Sequence, residues 1–280
     1  MIIQEAIKEA SLTLKKNNIK SSILDSEILM SKVLKKKREY VILNTQDRLK
    51  DKDLDYFTNL VNERKKGKPI AYLTGKKFFW KNEFKVNQNV LIPRPETELI
   101  VEEILKITKN KFQLNVLEIG IGSGCILLSI LKEKKGFIGT GIDLSSECLK
   151  ICKKNIIKLR VSNKIKLFKS DVDNFNYGKY DLIISNPPYI KKLDLKYLEK
   201  NVIDFEPRLA LDGGLDGLSE IKKVIEKSSE LIRKNGKLIL EIAFDQKTKV
   251  KEILKKKGFY INGVLKDFAK RDRCIISTKI

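Results

Sequence analysis

Tyr180-Asp181-Leu182-Ile183-Ile184-Ser185-Asn186-Pro187-Pro188-Tyr189 is an apolar run that stops abruptly at two prolines. Its first six residues read as a buried parallel strand, and the prolines close it in a tight turn. Pro187 and Pro188 fix the backbone and withdraw two N–H donors, so nearby carbonyls point outward unpaired. The Asn186 carboxamide adds an acceptor, and Tyr189 adds a flat stacking face. Such a set suits a planar amide or amino group gripped through its two N–H bonds. A proline-rich turn that merely ends a strand uses the same dipeptide, so the motif needs support from its surroundings.

Strands and helices alternate on both sides of this run. Strands are expected at 114–119, 137–142, 165–169, 181–185 and 237–243, with two more near 258–264 and 274–277. Helices are expected between them at 123–133, 146–159, 218–233 and 246–257. This alternation predicts an α/β fold, a mostly parallel sheet with helices on both faces. Ligands of such sheets gather at the carboxyl ends of the strands. Residues 96–280 therefore hold the chemistry.

The first 75 residues read as a smaller helical domain. Leu24, Ile28, Leu29 and Val33 fall on one helical face, and Leu54, Phe57, Leu60 and Val61 repeat the pattern. Gly67 and Pro69 break the helices. Residues 76–95 read as a β-hairpin and linker, in which Phe78-Phe79-Trp80 and Phe84-Lys85-Val86 flank Lys81-Asn82-Glu83. Pro93-Arg94-Pro95 is the joint before a helix from Glu96 to about Lys109, with Glu96 and Glu98 in its first turn.

Composition narrows the chemistry further. With 42% hydrophobic residues the 280-residue chain can build a sizeable core. No stretch approaches a membrane span, and the N-terminus lacks a cationic leader, so a cytoplasmic protein is expected. Cys125, Cys148, Cys152 and Cys274 form no metal-ligand pattern and read as reduced thiols; no metal is expected. The chain has no histidine, which excludes a Ser-His-Asp or Cys-His nucleophile. The net charge of +22 is mostly lysine spread along the chain, which supports an acidic or ribosome-associated partner without specifying one.

A glycine-rich turn, Glu118-Ile119-Gly120-Ile121-Gly122-Ser123-Gly124, follows the first strand of the alternation. Three glycines two apart allow close backbone approach to a ligand at the start of a helix. A dinucleotide fingerprint needs its third glycine where Cys125 stands, which disfavours nicotinamide and flavin. Asp143 ends the second strand about twenty residues on, the spacing at which an acid meets ribose hydroxyls. Asp171 ends the third strand, where it can accept from an adenine amino group. Together these describe a pocket for an adenosine without phosphates, which points to S-adenosylmethionine.

The loop, Asp143 and Asn186-Pro187-Pro188-Tyr189 together resemble class I methyltransferases that act on a planar nitrogen, a group with a Rossmann-like sheet. The four-residue motif is shared by adenine and cytosine amino methyltransferases of DNA and RNA, and by protein glutamine methyltransferases. Three further segments resemble the HemK/PrmC-type release factor glutamine methyltransferases. These are Pro69-Ile70-Ala71-Tyr72-Leu73-Thr74-Gly75, Leu91-Ile92-Pro93-Arg94-Pro95-Glu96-Thr97-Glu98, and Phe205-Glu206-Pro207-Arg208-Leu209-Ala210-Leu211-Asp212-Gly213-Gly214.

That resemblance implies methyl transfer from S-adenosylmethionine, leaving S-adenosylhomocysteine, to the Gly-Gly-Gln glutamine amide of class I peptide chain release factors. With no apolar span in the chain and a helical first 90 residues in place of a target-recognition region, no membrane and no obligatory nucleic acid are expected. Cofactor positions carry over to Gly120, Ile121, Gly122, Ser123, Gly124, Asp143, Val172 and Asn186, and Asp171 joins them on its own reading. The substrate glutamine falls on Asn186, Pro187, Pro188 and Tyr189, with the Asn186 side-chain oxygen and the Pro187 carbonyl as the catalytic acceptors. Glu118 stands where the family usually has Asp, and Val172 where an aromatic residue often packs. Arg94, Glu98 and Arg208 either line the substrate entrance or form ion pairs at the joint. Other readings are glutamine methylation of a ribosomal protein, amino-group methylation of adenine, and a basic binding protein with a retired methyltransferase core.

Overall fold

The computed structural model describes all 280 residues, which divide into two compact units. The first comprises Met1–Lys76 and Glu199–Phe205; the second comprises Lys77–Leu198 and Glu206–Ile280.

Five helices make up most of the first unit: α1 (Ile3–Lys16), α2 (Ser22–Leu34), α3 (Arg38–Leu43), α4 (Asp51–Lys65) and α5 (Ile70–Thr74). Their core gathers Ile3, Ala6, Ala10 and Leu14 of α1, Leu29, Met30 and Val33 of α2, and Phe57, Leu60 and Val61 of α4. The apolar face expected for α2 is rotated, because Leu24 is 43% exposed. The buried face runs instead through Ser22, Asp25, Ser26, Leu29, Met30 and Val33. Its polar members are tolerated because each has a partner. Arg64 Nε of α4 donates to Asp25 Oδ2 at 2.7 Å, and Ser26 Oγ donates to the Ser22 carbonyl at 2.8 Å. An apolar count misses a face whose register is fixed by a buried ion pair.

The second unit opens one residue into a hairpin of β1 (Lys76–Phe79) and β2 (Asn82–Lys85). The turn is tighter than expected, because Trp80 takes φ +54° and only Trp80 and Lys81 separate the strands. The hairpin is packed into this unit and does not hang free as a linker. Phe79 and Phe84 meet edge-on in the core, with ring centroids 6.2 Å apart.

Then follow α6 (Glu98–Ile107), β3 (Asn115–Ile119), α7 (Cys125–Glu133), β4 (Ile138–Asp143), α8 (Ser146–Leu159), β5 (Ile165–Lys169) and β6 (Tyr180–Ser185). The chain continues through α9 (Lys200–Ile203), which belongs to the first unit, α10 (Ser219–Leu231), β7 (Ile232–Glu241), α11 (Lys247–Lys256), β8 (Phe259–Lys266) and β9 (Asp272–Lys279). The seven strands order as β5-β4-β3-β6-β7-β9-β8. The first five are parallel and β9 runs antiparallel to both its neighbours.

Side chains alternate across this sheet. Val116, Leu182, Ile184 and Ile239 pack on one face with α6, α7 and α8. Leu117, Ile119, Ile183, Leu238 and Leu240 pack on the other with α10 and α11. Each fully buried Leu or Ile contributes about 1.5–3 kcal/mol, so both faces drive folding. Strand β7 begins five residues earlier than its apolar run suggests. The extra residues, 232–236, carry a register shift and a left-handed Asn235, so polar Arg233-Lys234-Asn235 extends the strand without matching its hydrophobic pattern. The sheet order reverses between β3 and β6, and the crevice at such a reversal is where ligands bind. No helix is long and apolar enough to cross a membrane.

Candidate active site

The glycine loop leaves β3 and turns into α7. The Gly120 and Ile121 N–H groups both donate to the Ile142 carbonyl of β4, at 3.0 and 2.9 Å. Gly120 and Gly122 take φ of +75° and +54°, and a Cβ at either would meet nothing within 4 Å. Backbone is therefore laid open over the strand ends, and the loop needs glycine for its conformation. Gly124 differs: a Cβ there would lie 2.8 Å from Cys152 Sγ and 2.9 Å from Leu128 Cδ1, so it serves close packing of the loop against α7 and α8. Ser123 is buried, with its carbonyl accepting from Asn155 Nδ2 at 2.9 Å.

Asp143 ends β4 beside this loop. Its Oδ2 accepts from Gly122 N–H and its Oδ1 from Ser145 N–H, both at 2.9 Å. Burial pushes its carboxyl up, and these two bonds act in the opposite direction. Each oxygen keeps a further lone pair for a ligand hydroxyl. Asp171 lies just beyond β5, where Oδ1 accepts from Asp173 N–H at 3.0 Å. Val172 packs half-buried against the core on the face that α10 and α11 cover. Glu118 does not face the loop's open side. It is buried, its Oε2 accepts from Leu127 N–H at 3.0 Å, and burial pushes its carboxyl well above the usual range. The carboxylate satisfies one of the orphan N–H groups in the first turn of α7.

At the end of β6, the Ser185 hydroxyl donates to the Ile119 carbonyl at 2.8 Å and ties the Asn186 turn to the glycine loop. Asn186 Nδ2 donates to Thr97 Oγ1 at 3.4 Å. Asn186 Oδ1 and the Pro187 carbonyl have no hydrogen-bond partner within the chain. Tyr189 Oη donates to Glu241 Oε1 at 3.3 Å, and burial pushes the phenol up. The sequence reading places Asn186, Pro187, Pro188 and Tyr189 together, and the sheet brings the Gly120–Gly124 loop, Asp143 and Asp171 to the same edge.

Side chains that the sequence reading passed over complete the frame. Gln246 Nε2 donates to the Tyr189 carbonyl at 3.0 Å and the Gly217 carbonyl at 2.9 Å, and its Oε1 accepts from Ala243 N–H at 3.0 Å. Ile190 N–H donates to the Leu211 carbonyl and Gly213 N–H donates back to the Ile190 carbonyl, at 3.1 and 2.8 Å. Leu211 and Gly213, from a segment quoted in the sequence analysis, thus strap the exit of the turn. Neither contact has a periodic signal, because each depends on sequence-distant loops meeting.

Of the charged joint residues, Arg94 Nη2 pairs with Glu206 Oε1 at 2.5 Å, while Glu206 Oε2 accepts from Ile92 N–H at 3.1 Å. Glu98 Oε1 accepts from Trp80 N–H at 2.7 Å. Both act as structural clamps in this arrangement. Arg208 approaches Asp212 only to 3.9 Å and is largely exposed.

A model of the PrmC N-terminal domain matches residues 5–75, and one of the methyltransferase small domain matches residues 95–215. A bifunctional methyltransferase of Rickettsia conorii is 34% identical over 304 residues, covering 99% of this chain. The chain spans only 58% of that relative's length. A release factor glutamine methyltransferase of Clostridium acetobutylicum is 34% identical over 282 residues and covers 100% of this chain and 99% of its own. One of Caulobacter vibrioides is 32% identical over 95% of this chain and 92% of its own. Among solved structures, a methyltransferase from Pyrococcus furiosus superposes with a TM-score of 0.51 at 19% identity, covering 70% of this chain and 88% of its own. That likeness bears on the fold of the sheet alone. Matched end to end by relatives at this identity, the chain belongs to the release factor glutamine methyltransferase family.

Proposed function

We propose that this protein transfers a methyl group from S-adenosylmethionine to the side-chain amide nitrogen of the Gly-Gly-Gln glutamine in class I peptide chain release factors. The observation that carries the reading is the pair of unpartnered acceptors, Asn186 Oδ1 and the Pro187 carbonyl, beside an open glycine loop.

The residues fit the cofactor. Open space above Gly120 and Gly122 admits a ligand against the backbone, and the Asp143 carboxylate is held in place by two N–H bonds with lone pairs to spare for ribose hydroxyls. Ile121, Ser123 and Gly124 shape the loop, Asp171 offers an acceptor for an adenine amino group, and Val172 offers an apolar wall. When bound, S-adenosylmethionine supplies an electrophilic methyl group.

An amide nitrogen is a poor nucleophile, because its lone pair is delocalised into the carbonyl. Asn186 Oδ1 and the Pro187 carbonyl accept its two N–H bonds and fix its position and facing. The same two dipoles stabilise the positive charge that develops on the nitrogen, and they are organised before reaction. Pro188 stiffens the turn, and Tyr189 gives the substrate amide a flat surface. No base is needed at the outset, since the proton leaves after the nitrogen has been alkylated. The first 75 residues serve substrate recognition in this reading. The lysine-rich surface steers an acidic partner, with no nucleic acid required and the cytoplasm as the working compartment.

Incubation with cofactor and a purified release factor, followed by peptide mapping, tests the reading. One added methyl on the Gly-Gly-Gln glutamine is the expected product. Methyl found only on a ribosomal protein or on an adenine would replace the substrate and keep the site.

A further inference from the structure

Behind the Asn186 turn lies a buried chain of polar side chains, of which Thr97 and Glu241 have no part in the mechanism above. Asn186 Nδ2 donates to Thr97 Oγ1, Thr97 Oγ1 donates to Glu241 Oε2 at 2.8 Å, and Tyr189 Oη donates to Glu241 Oε1. Thr97 is 2% exposed and Glu241 3%. The three links come from distant parts of the chain: the 3-10 turn Pro95–Thr97, the end of β6 and the end of β7. An ionisable group is disfavoured in such a place unless it has bonds to make, and here its direct donors are hydroxyls.

The order of donors in this chain has a consequence. A carboxylate only accepts, and a threonine hydroxyl has a single hydrogen. With that hydrogen committed to Glu241, Thr97 can meet Asn186 only as an acceptor. Asn186 must then turn its NH2 group toward Thr97, which leaves Oδ1 for the open side of the turn. Rotated by half a turn, the carboxamide would set oxygen against oxygen at Thr97 and N–H against N–H at the substrate.

Resting on the methyl-transfer reading above, we infer that Thr97 and Glu241 are positioning residues that dictate which end of the Asn186 carboxamide faces the substrate amide. Their effect depends on the charge of Glu241. Burial, the dominant influence, pushes its carboxyl up to about 7. The Thr97 and Tyr189 hydroxyls bond to it, Arg273 favours its charged form and Glu96 opposes it. The neighbouring Cys125 and Cys274 thiols are themselves pushed up and stay neutral, and Arg94, paired with Glu206, favours the charged form of Tyr189. Once protonated, Glu241 has a hydrogen of its own to offer Thr97, and the hydroxyl is free to reverse. The constraint on Asn186 therefore weakens as pH falls through about 7.

Two measurements test this. In the first, kcat, KM for release factor and cofactor affinity are compared for wild type, Thr97→Val, Thr97→Ser and Glu241→Gln across neutral pH. Thr97→Val keeps the shape and loses the hydroxyl, so kcat falls by ~100-fold with cofactor affinity unchanged. Thr97→Ser recovers most of that loss, and Glu241→Gln removes the inflection near neutrality. A wild-type kcat in Thr97→Val, or a Thr97→Ser as impaired as Thr97→Val, would overturn the inference. The second measurement needs no substrate: the side-chain NH2 resonances of Asn186, followed by NMR against pH. Expected is a shift with its midpoint near neutrality that disappears in both Glu241→Gln and Thr97→Val. Resonances indifferent to either substitution would overturn the inference whatever the substrate proves to be. Wild-type protein inactive on release factors, with the NMR shift present, would instead remove the functional reading and keep the relay.

Discussion

Asn186 carries more of the proposed chemistry than any other side chain, because its oxygen is an acceptor with no partner in the chain. Asn186→Ala is expected to lower kcat by about 10²- to 10³-fold, the usual cost of removing one preorganised dipole at a reacting centre. Thermal melting and cofactor titration should show the variant folded and still able to bind. Gly124 makes the complementary point about stability. At φ +81°, with Cys152 Sγ 2.8 Å from the place a Cβ would take, Gly124→Ala combines backbone strain with overpacking. It should lose about 1–3 kcal/mol in urea unfolding, whereas the open position of Gly120 predicts loss of cofactor affinity as well as strain.

Among the elements, the hairpin of β1 and β2 is held to the second unit by its packed Phe79 and Phe84, by Glu98 and by Asn155, which makes the most bonds of any side chain there. Asn155 of α8 accepts from Lys85 N–H at 2.7 Å and donates to the Lys85 and Ser123 carbonyls at 3.0 and 2.9 Å. Asn155→Ala strands the buried Ser123 carbonyl and the part-buried N–H and carbonyl of Lys85, so a destabilisation of about 1–3 kcal/mol is expected in denaturant titration. Because one of the three bonds reaches the glycine loop, weaker cofactor binding should accompany it in calorimetry. The periodic elements were legible in the sequence: α8 and β5 lie at their expected bounds, and β6 covers the Tyr180–Ser185 run read as a buried strand. What was not legible depends on contacts between distant segments. The face of α2 is set by Asp25 and Arg64, β7 is lengthened by its polar bulge, and the turn at Asn186 is clamped by Gln246, by Thr97 and by the bonds of Leu211 and Gly213 to Ile190. Glycine and proline announce a turn in sequence; nothing local announces the side chains that grip it.

Across the whole molecule, the buried carboxyls at the sheet's edge tie stability to pH. The folded-state value of Glu241, about 7, lies above its ordinary 4.5. Its stabilising effect is thus fully present below the ordinary value and is lost as pH rises through the folded one. Unfolding free energy should fall by about 3 kcal/mol over that window on account of this residue, and Glu241→Gln should flatten the curve correspondingly. Glu118 and Asp143 are shifted in the same direction by burial and add to the slope, so the variant retains part of it. A site that keeps three carboxyls under cover gives up stability at neutral pH to hold its acceptors in place.

The central claim is that the Gly-Gly-Gln glutamine amide of a class I release factor is the methyl acceptor. Transfer of labelled methyl from S-adenosylmethionine to a class I release factor, run beside the same factor with Gln→Ala at its Gly-Gly-Gln site, tests it most directly. Label on the wild-type factor and none on the variant is the predicted result. Equal label on both, or label on neither with transfer to ribosomes or DNA, would contradict it.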